Sequence, residues 1–142
     1  MEGRWPSTRP AFRAVLSHPE YHFSQLFDGA EFVGLLLYWE AEDFRYVEHF
    51  AIAPQLRGQS WGSRALREFL AEGDPVVLEI DPPEDPVSRR RKGFYEGLGF
   101  VSNPWPHIHP PYRLEFSGHA LEVMTFPGGW DEGQYRRFAR YL

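Results

Sequence analysis

The chain has 142 residues with 15 basic and 20 acidic side chains, a formal charge of −5, and no cysteine. Without cysteine, disulfide scaffolds, thiolate nucleophiles and cysteine-based zinc sites are excluded. No apolar run approaches the roughly 20 residues that a membrane helix needs, and an acidic chain is a poor general binder of nucleic acid. We therefore expect a single domain over residues 1–142, cytoplasmic, that binds neither nucleic acid nor membrane.

The N-terminal part predicts one short helix and then antiparallel strands. Phe12, Val15 and Leu16 lie at i, i+3 and i+4 after a proline, which predicts a helix over 10–16. Asp28-Gly29 between two apolar runs predicts a hairpin. The strands expected here cover residues 21–27, 32–39 and 45–52.

The rest of the chain alternates helices with short strands. Asp85-Pro86 is typical of a helix start and Gly99 of a helix end. The elements expected here are a helix at 62–71, a strand at 76–80, a helix at 85–98, strands from 100 and at 121–126, and a helix at 131–142. This order predicts an α/β (α+β) fold with a mixed, mostly antiparallel central sheet flanked by helices.

A strand, a glycine-bearing loop and a helix start follow one another between residues 48 and 63. Successive backbone N–H groups at a helix start hold an anion, and the helix dipole adds to the attraction. The stretch carries neither the Gly-Lys-Ser/Thr of a Walker loop nor the spacing of a dinucleotide fingerprint. From these residues alone, a pyrophosphate site and an ordinary strand–helix connection are both open.

At this point the sequence resembles the GNAT superfamily of acyl-CoA N-acyltransferases. Its pyrophosphate loop, Arg/Gln-x-x-Gly-x-Gly/Ala after an aliphatic-x-Pro strand end, corresponds to Ile52-Ala53-Pro54 and then Arg57-Gly58-Gln59-Ser60-Trp61-Gly62. A second signature, an aromatic-Tyr pair closed by Gly-Phe, corresponds to Phe94-Tyr95 and Gly99-Phe100. The resemblance covers residues 32–126 and implies the GNAT fold, shortened before residue 32.

One residue departs from the family loop. Ser60 stands where the family has its middle glycine, so it would be strained if the backbone there has a positive φ.

The resemblance implies acetyl-CoA as co-substrate, held by main-chain groups of the loop and of the strand before it. One cation of the basic run at 89–92 would meet a CoA phosphate, the alternative being a solvated helix face. The residues expected to contact CoA are Phe50, Ala51, Ile52, Arg57, Gly58, Gln59, Ser60, Trp61, Gly62, Ser63 and Arg90.

The resemblance also implies the catalytic roles. Tyr95 would protonate the leaving thiolate, the alternative being a core aromatic. Glu48 would be the base for the attacking amine, with Glu79 as a second candidate; the alternative for Glu48 is a strand carboxylate paired with an arginine. The residues expected to line the acceptor side are Tyr38, Glu79, His107 and His109, and no metal is expected.

The function expected is therefore N-acetyl transfer from acetyl-CoA to a primary amine by direct attack. The acceptor would be a small-molecule or peptide amine, and exposed aromatic and Pro-rich segments are compatible with a homodimer. The alternative is a CoA-binding or protein-interaction module with the same fold and little catalysis.

Overall fold

The computed structural model describes residues 11–17, 19–58, 60–107 and 120–142. The chain divides into two compact units, Met1–Asp74 and Pro75–Leu142. Within the described ranges, no helix is long and apolar enough to cross a lipid bilayer.

The first unit is a four-stranded antiparallel sheet followed by a helix. Each strand pairs with the next one in the chain, so the order in this unit is β1-β2-β3-β4. A short 3-10 helix, Pro54–Leu56, leads into the helix. The elements are β1 (Ala11–Ser17), β2 (Tyr21–Asp28), β3 (Glu31–Glu40), β4 (Arg45–Ile52) and α1 (Trp61–Leu70).

The prediction of a helix over residues 10–16 is wrong, because 11–17 form strand β1. The register of β1 against β2 jumps between Ala14 and Leu16, which pair with Ser24 and Phe23. Such a β-bulge breaks the alternation of a strand. The apolar residues of β1 therefore follow a spacing that imitates one helical turn.

Two features fix helix α1 to the sheet. The first is a buried apolar cluster between the sheet, the loop and the start of the helix, formed by Leu26, Val33, Ala53, Leu56, Trp61 and Ala65. The second is Arg45, which is 4% exposed. Its Nη1 donates to the Phe69 carbonyl at 2.6 Å, and its Nε and Nη2 donate to the Asp74 carbonyl at 3.1 and 2.6 Å. Arg45 thus ties β4 to the last turn of α1 and to the turn that follows it.

The second unit has three antiparallel strands in the order β5-β7-β6 and two helices. Asp85 caps α2 by accepting the Ser88 N–H at 2.8 Å, and Gly99 follows the helix with φ 104°, as predicted. The elements are β5 (Val76–Ile80), α2 (Pro86–Gly97), β6 (Val101–Ser102), β7 (Glu122–Phe126) and α3 (Glu132–Tyr141).

Candidate active site

The loop between β4 and α1 contains two left-handed residues. Gly58 has φ 83°, and Ser60 has φ 68° and ψ 9° directly before α1 begins at Trp61. Among the described residues, no side chain caps the start of this helix. The first N–H groups of a helix have no intrahelical acceptor, so a helix start of this kind is able to bind an anion.

Ser60 is a left-handed, non-glycine residue in this loop. The backbone strain predicted for serine in place of the family's middle glycine is therefore present. A left-handed conformation costs a residue with a Cβ about 1 kcal/mol. Two apolar side chains anchor the loop, because Leu56 and Trp61 are buried. Arg57, which lies between these two residues in the sequence, donates a hydrogen bond from Nε to the Ile52 carbonyl at 3.2 Å. Gln59, also predicted to contact CoA, lies outside the described residues.

The strand before the loop is fixed on one side by β3. Phe50, Ala51 and Ile52 pair with Leu36, Leu35 and Gly34. Phe50 and Ile52 pack against the apolar cluster of the first unit. At Gly34 the two backbones approach so closely that an added Cβ would overlap the Ala51 carbonyl oxygen, so this position requires glycine.

Tyr95 lies on α2 and is 8% exposed. Its ring packs edge-on against Phe94 and Phe100, with centroids 5.2 and 5.4 Å away. Burial raises the pKa of the Tyr95 phenol, and the positive charge of Arg91 opposes this more weakly. The phenol is therefore neutral near pH 7 and carries a proton to donate.

Glu48 is exposed on β4 and accepts a hydrogen bond from the Tyr21 hydroxyl at 2.9 Å. Burial raises the pKa of Tyr21 to about 12, helped by the hydrogen bond to Glu48 and by its negative charge. The register of β4 against β3 shifts here, because Val47 pairs with Tyr38 and His49 with Leu37. Glu48 is therefore the extra residue of a bulge, a device that redirects side chains near functional sites.

The structure brings two other predicted residues together in the second unit. Glu79 on β5 accepts a hydrogen bond from His107 Nε2, and the two side chains are 8% and 2% exposed. His107 Nδ1 lies 2.8 Å from the Tyr135 hydroxyl, and the His107 ring stacks on Phe138. An ionised carboxylate only accepts, so Nε2 carries the proton towards Glu79. Both residues are thus held in a buried network.

Tyr38 and His109 are also predicted to line the acceptor side. Tyr38 stacks on His22 at 4.7 Å and packs edge-on against Phe69 of α1 at 4.8 Å. Burial, followed by the charges of Glu40 and Glu72, raises the pKa of Tyr38. His109 lies outside the described residues.

Arg90 is exposed on α2, within the basic run at 89–92. Its neighbours form ion pairs: Lys92 with Glu122 at 3.0 Å and Arg91 with Asp81 at 3.8 Å. In the described part of the chain, no group of three or more His, Asp or Glu side chains is placed to hold a metal ion.

Sequence reasoning missed Tyr21, which donates a hydrogen bond to Glu48, and Tyr135, whose hydroxyl lies beside His107 Nδ1. Tyr21 is 27 residues from Glu48, and Tyr135 is 28 residues from His107. No local pattern in the sequence indicates the partner of either tyrosine. The missing signal is the tertiary arrangement, because Tyr21 and Glu48 lie on strands separated by β3 and Tyr135 lies on α3.

Comparisons with known proteins identify the family. Residues 2–100 match the model of the acetyltransferase (GNAT) family. A solved structure from Bacteroides thetaiotaomicron, titled as a GNAT-family acetyltransferase, is 30% identical with a TM-score of 0.78, covering 87% of this chain and 70% of that one. The Bacillus subtilis protein YjbC, named as an acetyltransferase, is 25% identical over 64 residues, which are 44% of this chain and 33% of that protein.

A third similarity shows the fold alone. A streptothricin acetyltransferase structure from Bacillus anthracis, in complex with acetyl coenzyme A, is 16% identical with a TM-score of 0.58, covering 82% of this chain and 66% of that one. Together the matches confirm the predicted resemblance and fold class. At the level of the family they also confirm the prediction of an acyltransferase.

Proposed function

This chain belongs to the GNAT acetyltransferase family, and from that premise we propose that it transfers acetyl from acetyl-CoA to a primary amine by direct attack. The acceptor is a small-molecule or peptide amine. The observation that carries the proposal is the loop from Gly58 to Trp61, where two left-handed residues precede a helix start that no described side chain caps.

The first step is binding of the co-substrate. The pyrophosphate of acetyl-CoA carries negative charge to the N–H groups and positive dipole end of α1. The guanidinium of Arg57, which donates to the Ile52 carbonyl at the end of β4, adds a positive charge, and the exposed cation of Arg90 serves a further phosphate. Main-chain groups of residues 50–52 align the pantetheine arm and the thioester carbonyl.

The chemical step moves three protons. The exposed carboxylate of Glu48 takes one proton of the ammonium group, directly or through a water, and frees the nitrogen lone pair. The nitrogen forms a bond to the thioester carbon, and the carbon–sulfur bond breaks with its electron pair on sulfur. The neutral phenol of Tyr95 donates its proton to the thiolate, and the resulting phenolate takes the remaining proton from the positively charged acylated nitrogen, which leaves a neutral amide and a neutral phenol.

The test is amine-dependent release of CoA from acetyl-CoA over a panel of primary amines. We expect Tyr95→Phe to lower kcat by about 100-fold or more without changing the KM for acetyl-CoA. Tyr141→Phe, which also removes a phenol oxygen from the second unit, is the matched control and should leave kcat unchanged. Equal rates in Tyr95→Phe and wild type would contradict the role of Tyr95.

A second candidate, CoA binding with little catalysis, is motivated by Ser60 in its left-handed conformation. Ser60→Gly keeps the N–H and relieves strain, so it should stabilise the fold by about 1 kcal/mol and bind acetyl-CoA at least as well. Ser63→Gly, within α1, should instead cost about 0.5–1 kcal/mol. Tight CoA binding by wild type with no amine-dependent release would favour this second candidate.

A further inference from the structure

The side chain of Tyr21 on β2 is held at both its ring and its hydroxyl. The ring packs on Trp39, its cross-strand partner on β3, with centroids 4.5 Å apart and planes tilted by 49°. The hydroxyl passes β3 and donates to Glu48 Oε1 on β4 at 2.9 Å. One row of side chains therefore joins three neighbouring strands, and acetyl transfer as proposed above gives no role to Tyr21 or Trp39.

We propose that Tyr21 is a positioning residue that orients the Glu48 carboxylate for proton transfer from the amine. Its hydroxyl occupies Oε1, so the other oxygen, Oε2, is the atom that takes the proton. Tyr21 contacts neither the amine nor CoA in this role and acts through Glu48. The proposal rests on the acetyltransferase function proposed above and deepens it, because it names what holds the base and which of its oxygens reacts.

Glu48 needs a partner of this kind because it is exposed. A glutamate side chain has several rotatable bonds, and restricting a free one costs conformational entropy that corresponds to about a tenfold change in rate. Proton transfer requires the base to lie within hydrogen-bond reach of the proton. A hydrogen bond that already fixes the carboxylate in the free protein removes this cost from the reaction.

The two carboxylate oxygens of Glu48 are not equivalent. Oε1 accepts the Tyr21 hydroxyl. Among the described residues, no other side chain engages the carboxylate. A carboxylate oxygen carries two lone pairs, and the oxygen without a donor is the more basic one. The hydrogen bond to Oε1 therefore leaves Oε2 for the proton of the amine.

A phenol suits this role better than a cation does. An arginine beside Glu48 would favour the ionised carboxylate through its charge and so weaken it as a base. The neutral hydroxyl of Tyr21 supplies direction without charge. Burial raises the pKa of Tyr21 to about 12, helped by the hydrogen bond to Glu48 and by its negative charge. An alkylammonium group loses its proton at about pH 10, so Tyr21 is still a donor where the amine becomes a free base.

The backbone and the Trp39 ring fix the two ends of this hydrogen bond. The bulge in β4 sets the direction in which Glu48 leaves the strand. Tyr21 and Trp39 are both half-buried, so the contact between their rings restricts the phenol. A tyrosine side chain has only two rotatable bonds before its hydroxyl, so packing of the ring also places the oxygen.

The first test is steady-state kinetics of amine-dependent CoA release at saturating acetyl-CoA. Tyr21→Phe keeps the ring on Trp39 and removes the hydroxyl, so it should lower kcat about tenfold without changing the KM for acetyl-CoA. Tyr141→Phe, the same change on α3, is the control and should keep the wild-type kcat. A Tyr21→Phe enzyme as fast as wild type, or a loss confined to the KM for acetyl-CoA, would overturn the positioning role.

A double-mutant cycle shows whether Tyr21 acts through Glu48. Tyr21→Phe should have no further effect on kcat in a Glu48→Gln background, because the base that it positions is already absent. A purely structural role of the tyrosine would instead lower kcat by the same factor in both backgrounds. Equal factors in the two backgrounds would therefore overturn the proposal.

The ring contact is tested at Trp39 on protein shown to be folded by circular dichroism. Trp39→Phe keeps an aromatic face beside Tyr21 and should keep kcat within about twofold of wild type, whereas Trp39→Ala should approach the tenfold loss of Tyr21→Phe. If no amine on the panel releases CoA from the wild-type protein, the proposed function fails and the positioning role falls with it. If release occurs and Tyr21→Phe is as fast as wild type, only the positioning role is refuted.

Discussion

Glu48 in the first unit and Glu79 in the second are comparable, because each is a glutamate on a strand whose carboxylate accepts a hydrogen bond from an aromatic side chain. Glu48 is exposed and accepts from the Tyr21 hydroxyl at 2.9 Å. Glu79 is 8% exposed and accepts from His107, which is itself backed by Tyr135. The exposed carboxylate can meet an incoming amine, while the buried one is enclosed in a network that needs it for stability.

The difference teaches that sequence position alone does not assign a base. Both glutamates follow apolar residues on strands, and the sequence offers Glu79 as a second candidate for the base beside Glu48. Burial separates them, since a buried charge must keep its partner whereas an exposed one is free to exchange protons with a substrate. The comparison therefore supports the proposal that Glu48, and not Glu79, is the base, since Glu79 is held in a buried hydrogen bond with His107.

The largest effect should come from breaking the buried pair. His107→Leu leaves the Glu79 carboxylate buried without its donor, which should lower the free energy of unfolding by about 3–5 kcal/mol. His49→Leu, the same change at an exposed position, should stay within about 0.5 kcal/mol of wild type. Urea denaturation measures both values, and equal losses would show that the two regions do not differ as described.

A smaller effect should follow from removing one phenol oxygen in each region. Tyr135→Phe takes the partner from buried His107 Nδ1 and should cost about 1–2 kcal/mol of unfolding free energy. Tyr21→Phe releases the exposed Glu48 carboxylate to water and should cost less than about 1 kcal/mol. Urea denaturation measures the loss of unfolding free energy in each variant. A larger loss for Tyr21→Phe than for Tyr135→Phe would contradict the described difference between the two regions.

The titration of Tyr21 gives the smallest effect. Its pKa in the folded protein is raised to about 12, above the ordinary value of 10.0. A raised pKa stabilises the fold fully below pH 10, and this contribution is lost as the pH rises towards about 12. The pKa values of Tyr38 and Tyr95 are raised as well, so the variants are compared with wild type by tyrosinate absorbance. Tyr21→Phe should have one late-titrating group fewer than wild type, and Glu48→Gln should shift one such group down. The same number of late-titrating groups in Tyr21→Phe and in wild type would contradict the assignment.

Much of the fold could be predicted where local chemistry decides the structure. Asp85-Pro86 and Gly99 bound α2 because a cap, a fixed φ and a left-handed residue act within a few positions. The strand predicted over 45–52 is present as β4. The prediction of a helix over 10–16 was wrong because a bulge in β1 breaks the alternation by which a strand is recognised.

The candidate site could be predicted only in part. The loop could be predicted from the sequence, and so could the strain at Ser60 in the case of a positive φ, because both depend on neighbouring residues. The partners of Glu48 and His107 were not, since they come from residues 27 and 28 positions away. Arg45 likewise looked like an ordinary strand residue, although its guanidinium holds carbonyls at 69 and 74.

The most direct test of the account is the rate of amine-dependent CoA release by Glu48→Gln, measured beside Glu79→Gln on protein shown to be folded. The account predicts that Glu48→Gln lowers kcat by about 100-fold with unchanged acetyl-CoA affinity. Glu79→Gln should lose stability while its folded fraction keeps most of the activity. A Glu48→Gln enzyme as fast as wild type, with activity lost in folded Glu79→Gln instead, would contradict the account and move the base to the second unit.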